Sequence, residues 1–477
     1  MKGFRILILI IFSSLNLTGY AQDSVMHTLT LQQCVDIAIQ NNLQVRQSEL
    51  QMESNGVQFK QAKDNLLPQI NGTLNQGQNF GRSINNFNNG YVNQQYGSGS
   101  YGLNASLTLF NGLSLLQGIK QNALSYDASK MDLQQQKDNI TLSVILAYLQ
   151  VLSSQDQLVI AKQQTEVDAK QVERLEILNK QGAIAPSTLY DLKGQYASDQ
   201  VNEVNMVNAL ETAKVNLFGY LNIPYQKDAG YEMVMLDANT LQYGNSSDSI
   251  YQTALQTVPT IRAVDLRVKS FEHAVAAARG KYYPTLSLYG SLNSNYSSIA
   301  TNNIPGTDYP IITSDYIIDN TNTKYYVNTT GLQTQKISFG DQFKNNRFQQ
   351  VGLQLNIPIL NYLSVRNNVK QAKINLDNAK VIASSSRNQL QQLVEQAWQN
   401  MNAAYGQYKG YLDQVKAYGE SFRTAEIRFN NGVITSVDYV IAKNNYDRAN
   451  TNLTAARYNY IFRTKILDYY QGRLSIK

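Results

Sequence analysis

The chain carries one pattern twice, and that repeat constrains its fold more than any other feature. Tyr101, Leu103, Ala105, Leu107 and Leu109 are apolar, and the residues between them, Gly102, Asn104, Ser106 and Thr108, are small or polar. Val351, Leu353, Leu355, Ile357 and Ile359 alternate in the same way with Gly352, Gln354, Asn356 and Pro358. The offset of 250 residues persists downstream, from Lys120-Gln121 to Lys370-Gln371, Gly182 to Gly432 and Tyr196 to Tyr446. Upstream it is 216, from Ala38 to Ala254, Arg46 to Arg262 and Pro68 to Pro284. The difference of 34 residues places an insertion in the second copy's polar stretch, about residues 297–346.

Each copy reads as the same series of elements. A helix, about 30–64 and again 248–281, is broken by a proline that opens a strand. Ile70, Gly72 and Leu74 alternate with Gln69, Asn71 and Thr73, and Leu286, Leu288, Gly290 and Leu292 mark the matching strand. A loop rich in Gly, Asn, Ser and Tyr leads to the returning strand. The strands fall within 67–110 and 283–359, and the copies span 22–222 and 248–477 with a linker at 223–247. Alternation over about ten residues suits a half-buried sheet or a membrane barrel, apolar outward and polar inward.

A very long helix follows each strand pair. Small or apolar residues recur from Val369 to Phe429 in steps of 4 and 3, with one extra step of 4 from Leu390 to Val394. That is a coiled-coil period with a stutter. About 65 residues at 1.5 Å each make roughly 100 Å of helix, and residues 115–180 make the same length. Gly182 and Gly432 end the two long helices. Thr188 with Asp191, and Thr435 with Asp438, fit the capping box of a returning helix, which runs to about Leu221 or Leu467. A fibrous coiled coil would explain the helices but not the strands.

Residues 1–21 read as a secretory signal. Lys2 and Arg5 precede an apolar core from Ile6 to Phe12, and Gly19-Tyr20-Ala21 has the small-x-small form of a cleavage site. No long apolar run is expected after Phe12, so no membrane helix is expected either. Cys34, the only cysteine, falls on an apolar helix side and reads as an inert buried thiol. The net charge of +6, without a basic run, gives no reason to expect nucleic acid as a partner. His27 and His273 lack clustered partners in the sequence, and no phosphate-binding glycine loop is present. No enzyme, metal or cofactor is therefore expected. Four strands cannot close a barrel, and lipid does not tolerate open edges, so closure would need further copies.

The ordered set of motifs resembles the TolC-like outer membrane efflux channels. The carrying stretches are "LTLQQCVDIAIQNNLQVR", the turns "LFNG" and "ILNY", "NLFGYLNIPYQ" and "RFNNGVITSVDYVIAKNNYDRANTNLTAARYNYI". The resemblance implies a mainly α fold with a transmembrane β part: a homotrimer with a 12-stranded barrel in outer membrane lipid and a helical periplasmic tunnel. It also implies a periplasmic adaptor and an inner-membrane transporter of RND, ABC or MFS type, with the duct passive in efflux or type I secretion. A structural or adhesive envelope protein is the alternative.

Within the resemblance, Asp438 falls where family members line the constricted tunnel end with acid. Ile441 and Ile434 stand where a second aspartate and an arginine are expected, and Thr188 where aspartate is frequent. The hairpins holding Gly182, Ala183 and Ser187, and Gly432, Val433 and Thr435, are the expected adaptor-docking sites. Aromatic belts are expected at Phe110, Tyr282, Tyr283 and Tyr362 on the periplasmic side, and at Phe80, Tyr96, Tyr101, Tyr296 and Phe348 outward.

Overall fold

A computed structural model describes residues 28–84, 91–93, 95–233 and 243–474. The expected signal segment, His27 and part of the 223–247 linker lie outside these residues. The first repeat runs β1 (Thr28–Leu29), α1 (Leu31–Asn41), α2 (Leu43–Asp64), β2 (Gln69–Asn79), β3 (Arg82–Ile84), β4 (Tyr91–Asn93), β5 (Tyr96–Phe110), α3 (Ser114–Lys180) and α4 (Pro186–Leu221). Strand β6 (Gly230–Tyr231) follows and pairs with β1. The second repeat runs α5 (Ser247–Thr257), α6 (Pro259–Gly280), β7 (Thr285–Ser297), β8 (Thr301–Ile318), β9 (Lys324–Lys336), α7 (Phe339–Asn345), β10 (Phe348–Asn356), α8 (Ser364–Asn430) and α9 (Ser436–Tyr470).

Two expectations about the run of elements need correction. Each leading helix is in fact two. Asn42 is extended and its side chain accepts from the Gln44 N–H at 2.9 Å, capping α2. Val258 is extended because Pro259 follows it. The inserted stretch is also no loop: runs such as "YPIITSDYII" and "KYYVNTT" are β-branched and aromatic, and they pair as the β8–β9 hairpin.

The chain divides into two units. One holds the described residues within 53–128 and 265–382. Its centre is a four-stranded antiparallel sheet, ordered β10-β7-β5-β2. Helices enter β2 and β7 and leave β5 and β10, so all four helix junctions share one end of the sheet. The register places apolar residues directly opposite one another: Ile70 with Ala105, Leu103 with Leu292, Leu107 with Leu288 and Leu353 with Leu288. Asn71, Asn104, Ser291 and Gln350 form a row of the other face. The apolar face is uncovered over most of its area, with Leu74 and Val351 each 81% exposed. The strand-to-helix turns need left-handed backbone. Gly112 has φ +65°, and a Cβ there would lie 2.1 Å from the Gly280 carbonyl oxygen. Tyr362, at the matching place in the second copy, bears φ +55° with its side chain fully exposed.

The other unit holds the described residues within 28–52, 129–264 and 383–474. It has two helical cores related by the sequence offset. Ile140, Val144, Ala147, Val151, Leu210 and Leu217 pack with Cys34 and Ala38 of α1. Leu390, Val394, Ala397, Met401, Tyr460 and Leu467 pack with Ile250 and Ala254 of α5. The burial around Cys34 pushes its thiol pKa up to about 12, consistent with an inert thiol. Helix α3 corrects the expectation that no apolar stretch follows Phe12. One of its windows is apolar and long enough to cross a membrane, but 61% of that window is buried. Val144, Ile145, Tyr148, Val151 and Leu152 make it core.

Candidate functional site

The two helical hairpins come together at their turns. Gly182 and Gly432 have φ +70° and +72°, a conformation that costs glycine little. Backbone bonds close each helix end, Ala183 N–H to the Leu178 carbonyl and Val433 N–H to the Arg428 carbonyl, both at 2.9 Å.

The two returning helices start differently. Thr435 caps α9 as expected: its hydroxyl accepts from the Asp438 N–H at 3.1 Å, and the Asp438 carboxylate accepts from the Thr435 N–H at 3.3 Å. The bonds from Thr435 hold the exposed Asp438 carboxyl below the usual carboxylate range, with Arg428 adding to the effect. The expected box at Thr188 is absent. Helix α4 starts at Pro186, with Ala185 as a cap that makes no side-chain bond. Proline needs no N–H partner at a first turn, so it starts the helix two residues before Thr188. Asp191, released from capping, accepts the Ser436 hydroxyl at 2.7 Å and joins the hairpins.

Between the turns lies a groove of about 560 Å³, lined among others by Ala183, Ser187, Thr188, Gly432, Ile434 and Thr435. Leu175 and Phe429 of its lining belong to a small core with Leu189, Leu192 and Tyr439, against which Ile434 packs half-buried. Ile441 and Val433 are exposed, as is Val437, which the sequence reading did not single out. The exposed surface of the second turn thus mixes apolar Val433, Val437 and Ile441 with Asn430, Asn431, Thr435 and the acidic Asp438. Arg174 reaches Asn430 across the groove, and Gln195 bonds Asn444 at 3.1 Å.

Behind the groove lies a buried charge cluster that sequence reasoning missed. The Lys443 ammonium sits 2.7 Å from Asp199, 2.8 Å from Asp447 and 3.3 Å from Asp168. Asp168 has no exposed side-chain surface, and no donor reaches either carboxyl oxygen with hydrogen-bond geometry. Burial pushes its pKa up to about 7; Lys443 opposes this, and Asp199 adds to it. Burial alone would lower the Lys443 pKa, but Asp447, Asp199 and Asp168 hold the ammonium above its ordinary value. One signal was available: Asp168 lies 250 positions before Tyr418, a seam position of the coiled-coil pattern.

At the sheet, Tyr96 is no belt residue. It is buried, and its hydroxyl donates to the Ile84 carbonyl at 3.2 Å. Phe80, Phe348, Tyr282 and Tyr283 are exposed. His273 contacts the Gln117 amide at 2.7 Å.

Comparison with known proteins gives a consistent result. The sequence pattern of the outer membrane efflux protein family matches residues 34–222 and 250–465, one span in each repeat. Outer membrane protein TolC of Escherichia coli (strain K12) is 24% identical over 459 residues, covering 94% of this chain and 83% of that protein. The Campylobacter jejuni CmeC outer membrane channel superposes with a TM-score of 0.73 at 18% identity, covering 93% of this chain and 86% of that one. The open state of the Neisseria gonorrhoeae MtrE outer membrane channel gives 0.68 at 17% identity, covering 94% and 90%.

Proposed function

This chain belongs to the outer membrane efflux protein family, and from that premise we propose that it is the passive exit duct of a tripartite assembly. It is an outer membrane channel protein whose helices extend into the periplasm. The observation that carries the proposal is the four-stranded sheet, with one apolar face uncovered and both edge strands, β2 and β10, without a further strand partner among the described residues. In lipid, open edges leave backbone groups unsatisfied. Three copies joined β2 to β10 give a twelve-stranded barrel with the Asn/Ser/Gln rows toward a wet lumen.

The tunnel's narrow end is the ring of hairpin turns. Three Asp438 carboxylates supply negative charge there, and Ile441, Val433 and Val437 supply an apolar constriction in place of a salt-bridged lock. Thr188 and Ile434 stand in the groove between turns, with Ile434 bracing the core under them. The groove around Gly182, Ala183, Ser187, Gly432, Val433 and Thr435 is the docking surface for a periplasmic adaptor. The chain performs no chemistry; an inner-membrane transporter of RND, ABC or MFS type supplies the energy.

In-cell cross-linking followed by identification of captured proteins tests this reading. An adaptor and a transporter should be captured together through residues flanking Gly182 and Gly432. A transporter of RND or MFS type marks small-compound efflux, and an ABC transporter with a polypeptide substrate marks secretion. Capture of neither, with unchanged efflux and secretion on deletion, would favour a structural envelope protein.

A further inference from the structure

Helix α7, part of the insertion in the second repeat, has no place in the duct described above. It lies on the apolar face of the sheet. Phe339 and Phe343 stand one turn apart and stack at 6.1 Å. Both rings meet Tyr101 of β5 at 5.7 Å, and Phe339 meets Tyr296 of β7 at 5.2 Å. The Ser294 hydroxyl donates to the Phe343 carbonyl at 2.8 Å. Tyr101 and Ser294 are opposite one another in the register, one row beyond Leu103 and Leu292 toward the loop end of the sheet. The helix is also locked down by the buried Gln342, which accepts from the Ser297 N–H at 2.9 Å and donates to the Ser297 and Ile337 carbonyls.

Despite these contacts, Phe339 is 50% and Phe343 43% exposed. Two phenylalanines fixed half-open on one short helix are unfavourable in water. They adjoin Leu103 and Leu292, whose face must meet lipid if the sheet is part of a barrel. From Leu286 to Leu292 and on to Tyr296 the face is apolar and then aromatic, the order found where a barrel passes from acyl chains to headgroups. Lys344 and Arg347 are exposed beside the rings and can reach outward to phosphates. A second copy is a poor occupant, because α7 sits over the central strands β5 and β7, whereas in the proposed barrel copies join at the edges β2 and β10.

We propose that α7 is an interfacial anchor whose Phe339 and Phe343 rings insert into outer-leaflet lipid at the boundary of headgroup and acyl chain. The proposal rests on the barrel reading and adds to it a lipid-binding role for an inserted segment. Its effect is to fix the depth of the barrel at the outer rim.

Depth-dependent fluorescence quenching tests it. The full-length channel carrying Phe343→Trp is reconstituted into phosphatidylcholine vesicles brominated either near the headgroup or near the chain end. The emission of Trp398 in the native protein is subtracted. Phe339→Trp is the second probe, and Leu103→Trp reports the sheet face alone. The added emission of both α7 variants should fall by about half with bromine near the headgroup and change little with bromine at the chain end. Quenching of Leu103→Trp without quenching of either α7 probe would overturn the anchor while leaving the barrel intact. Absence of quenching at all three positions would overturn the barrel reading, and the anchor with it.

Discussion

Replacing Asp168 with asparagine should stabilise this protein above neutral pH, the reverse of what the loss of a buried ion contact ordinarily does. Asp168 lies 3.3 Å from Lys443 with no exposed surface, and Asp199 and Asp447 are closer to the same ammonium. Tyr439, whose own pKa is raised by burial and then by Asp168 and Glu426 of α8, lies beside the cluster, and Tyr446 lines the same cavity as Lys443 and Asp447. An unfolded aspartate titrates near 3.9, and Asp168 in the fold near 7. The native state therefore holds the proton more tightly. Between about pH 4 and pH 7 the contribution of this group to stability falls as pH rises, and above that window it stays low. A shift of about three units is worth about 4 kcal/mol at most. Because three carboxylates share one ammonium and relax together, roughly 1–3 kcal/mol is the expected net cost of ionising Asp168.

Asparagine keeps the shape and cannot ionise. Thermal unfolding of the detergent-solubilised channel, followed by circular dichroism, should place Asp168→Asn a few degrees above the native protein at pH 8 and level with it at pH 4. Taking the difference between the two proteins cancels groups that shift the other way, such as Asp438. An Asp168→Asn variant less stable than native at pH 8, or a difference that does not change with pH, would refute the reasoning and make the ionised carboxylate a net support of Lys443.

Four further outcomes follow from the turns. Gly112→Ala should destabilise the sheet unit by about 2 kcal/mol or more, since its Cβ would overlap the Gly280 carbonyl, as read by chemical denaturation. Tyr362→Gly should stabilise the same unit by about 1 kcal/mol in the same assay, because it removes left-handed strain from a side chain without contacts in the fold. Gly432→Pro removes the N–H bond to the Phe429 carbonyl and cannot adopt φ +72°; it should leave the barrel inserted but abolish transport in a cellular efflux or secretion assay. Asp438→Asn should reduce cation preference in planar-bilayer recordings. It should also lose a little thermal stability above about pH 4 but not below it, the sign expected for a carboxyl held below its usual range.

Features that repeat were legible in the sequence. The seam from Val369 to Phe429 predicts the 67-residue α8, and alternation from Tyr101 to Leu109 predicts which side chains share a sheet face. The offset of 250 holds in the cores themselves, where Ile140 and Leu390, or Leu217 and Leu467, occupy equivalent places. Local breaks were less legible because a single residue decides them. Asn42 interrupts a helical pattern by capping the next helix, and Pro186 starts α4 ahead of Thr188. The insertion was misread because Gly, Asn and Tyr look alike in a loop and in an exposed hairpin, where pairing partners rather than burial hold the strand. Lys443 with Asp447 reads as an ordinary exposed pair one turn apart, and only packing against α3 and α4 adds Asp168 and Asp199. At the candidate site, the turns and the Thr435–Asp438 cap were legible, whereas Asp191 bonding Ser436 depends on two hairpins meeting in space.

The central claim is that copies of this chain close a barrel edge to edge, and disulfide trapping between edges tests it most directly. One cysteine is placed at Thr73 of β2 and a second at successive positions of β10. Cys34, buried with its thiol pKa raised to about 12, stays silent. Oxidation in isolated outer membranes should give, at a subset of β10 positions, a ladder of linked chains that stops at three and returns to monomer on reduction. Monomers alone at every position, or a ladder that stops at two or runs past three, would contradict the account.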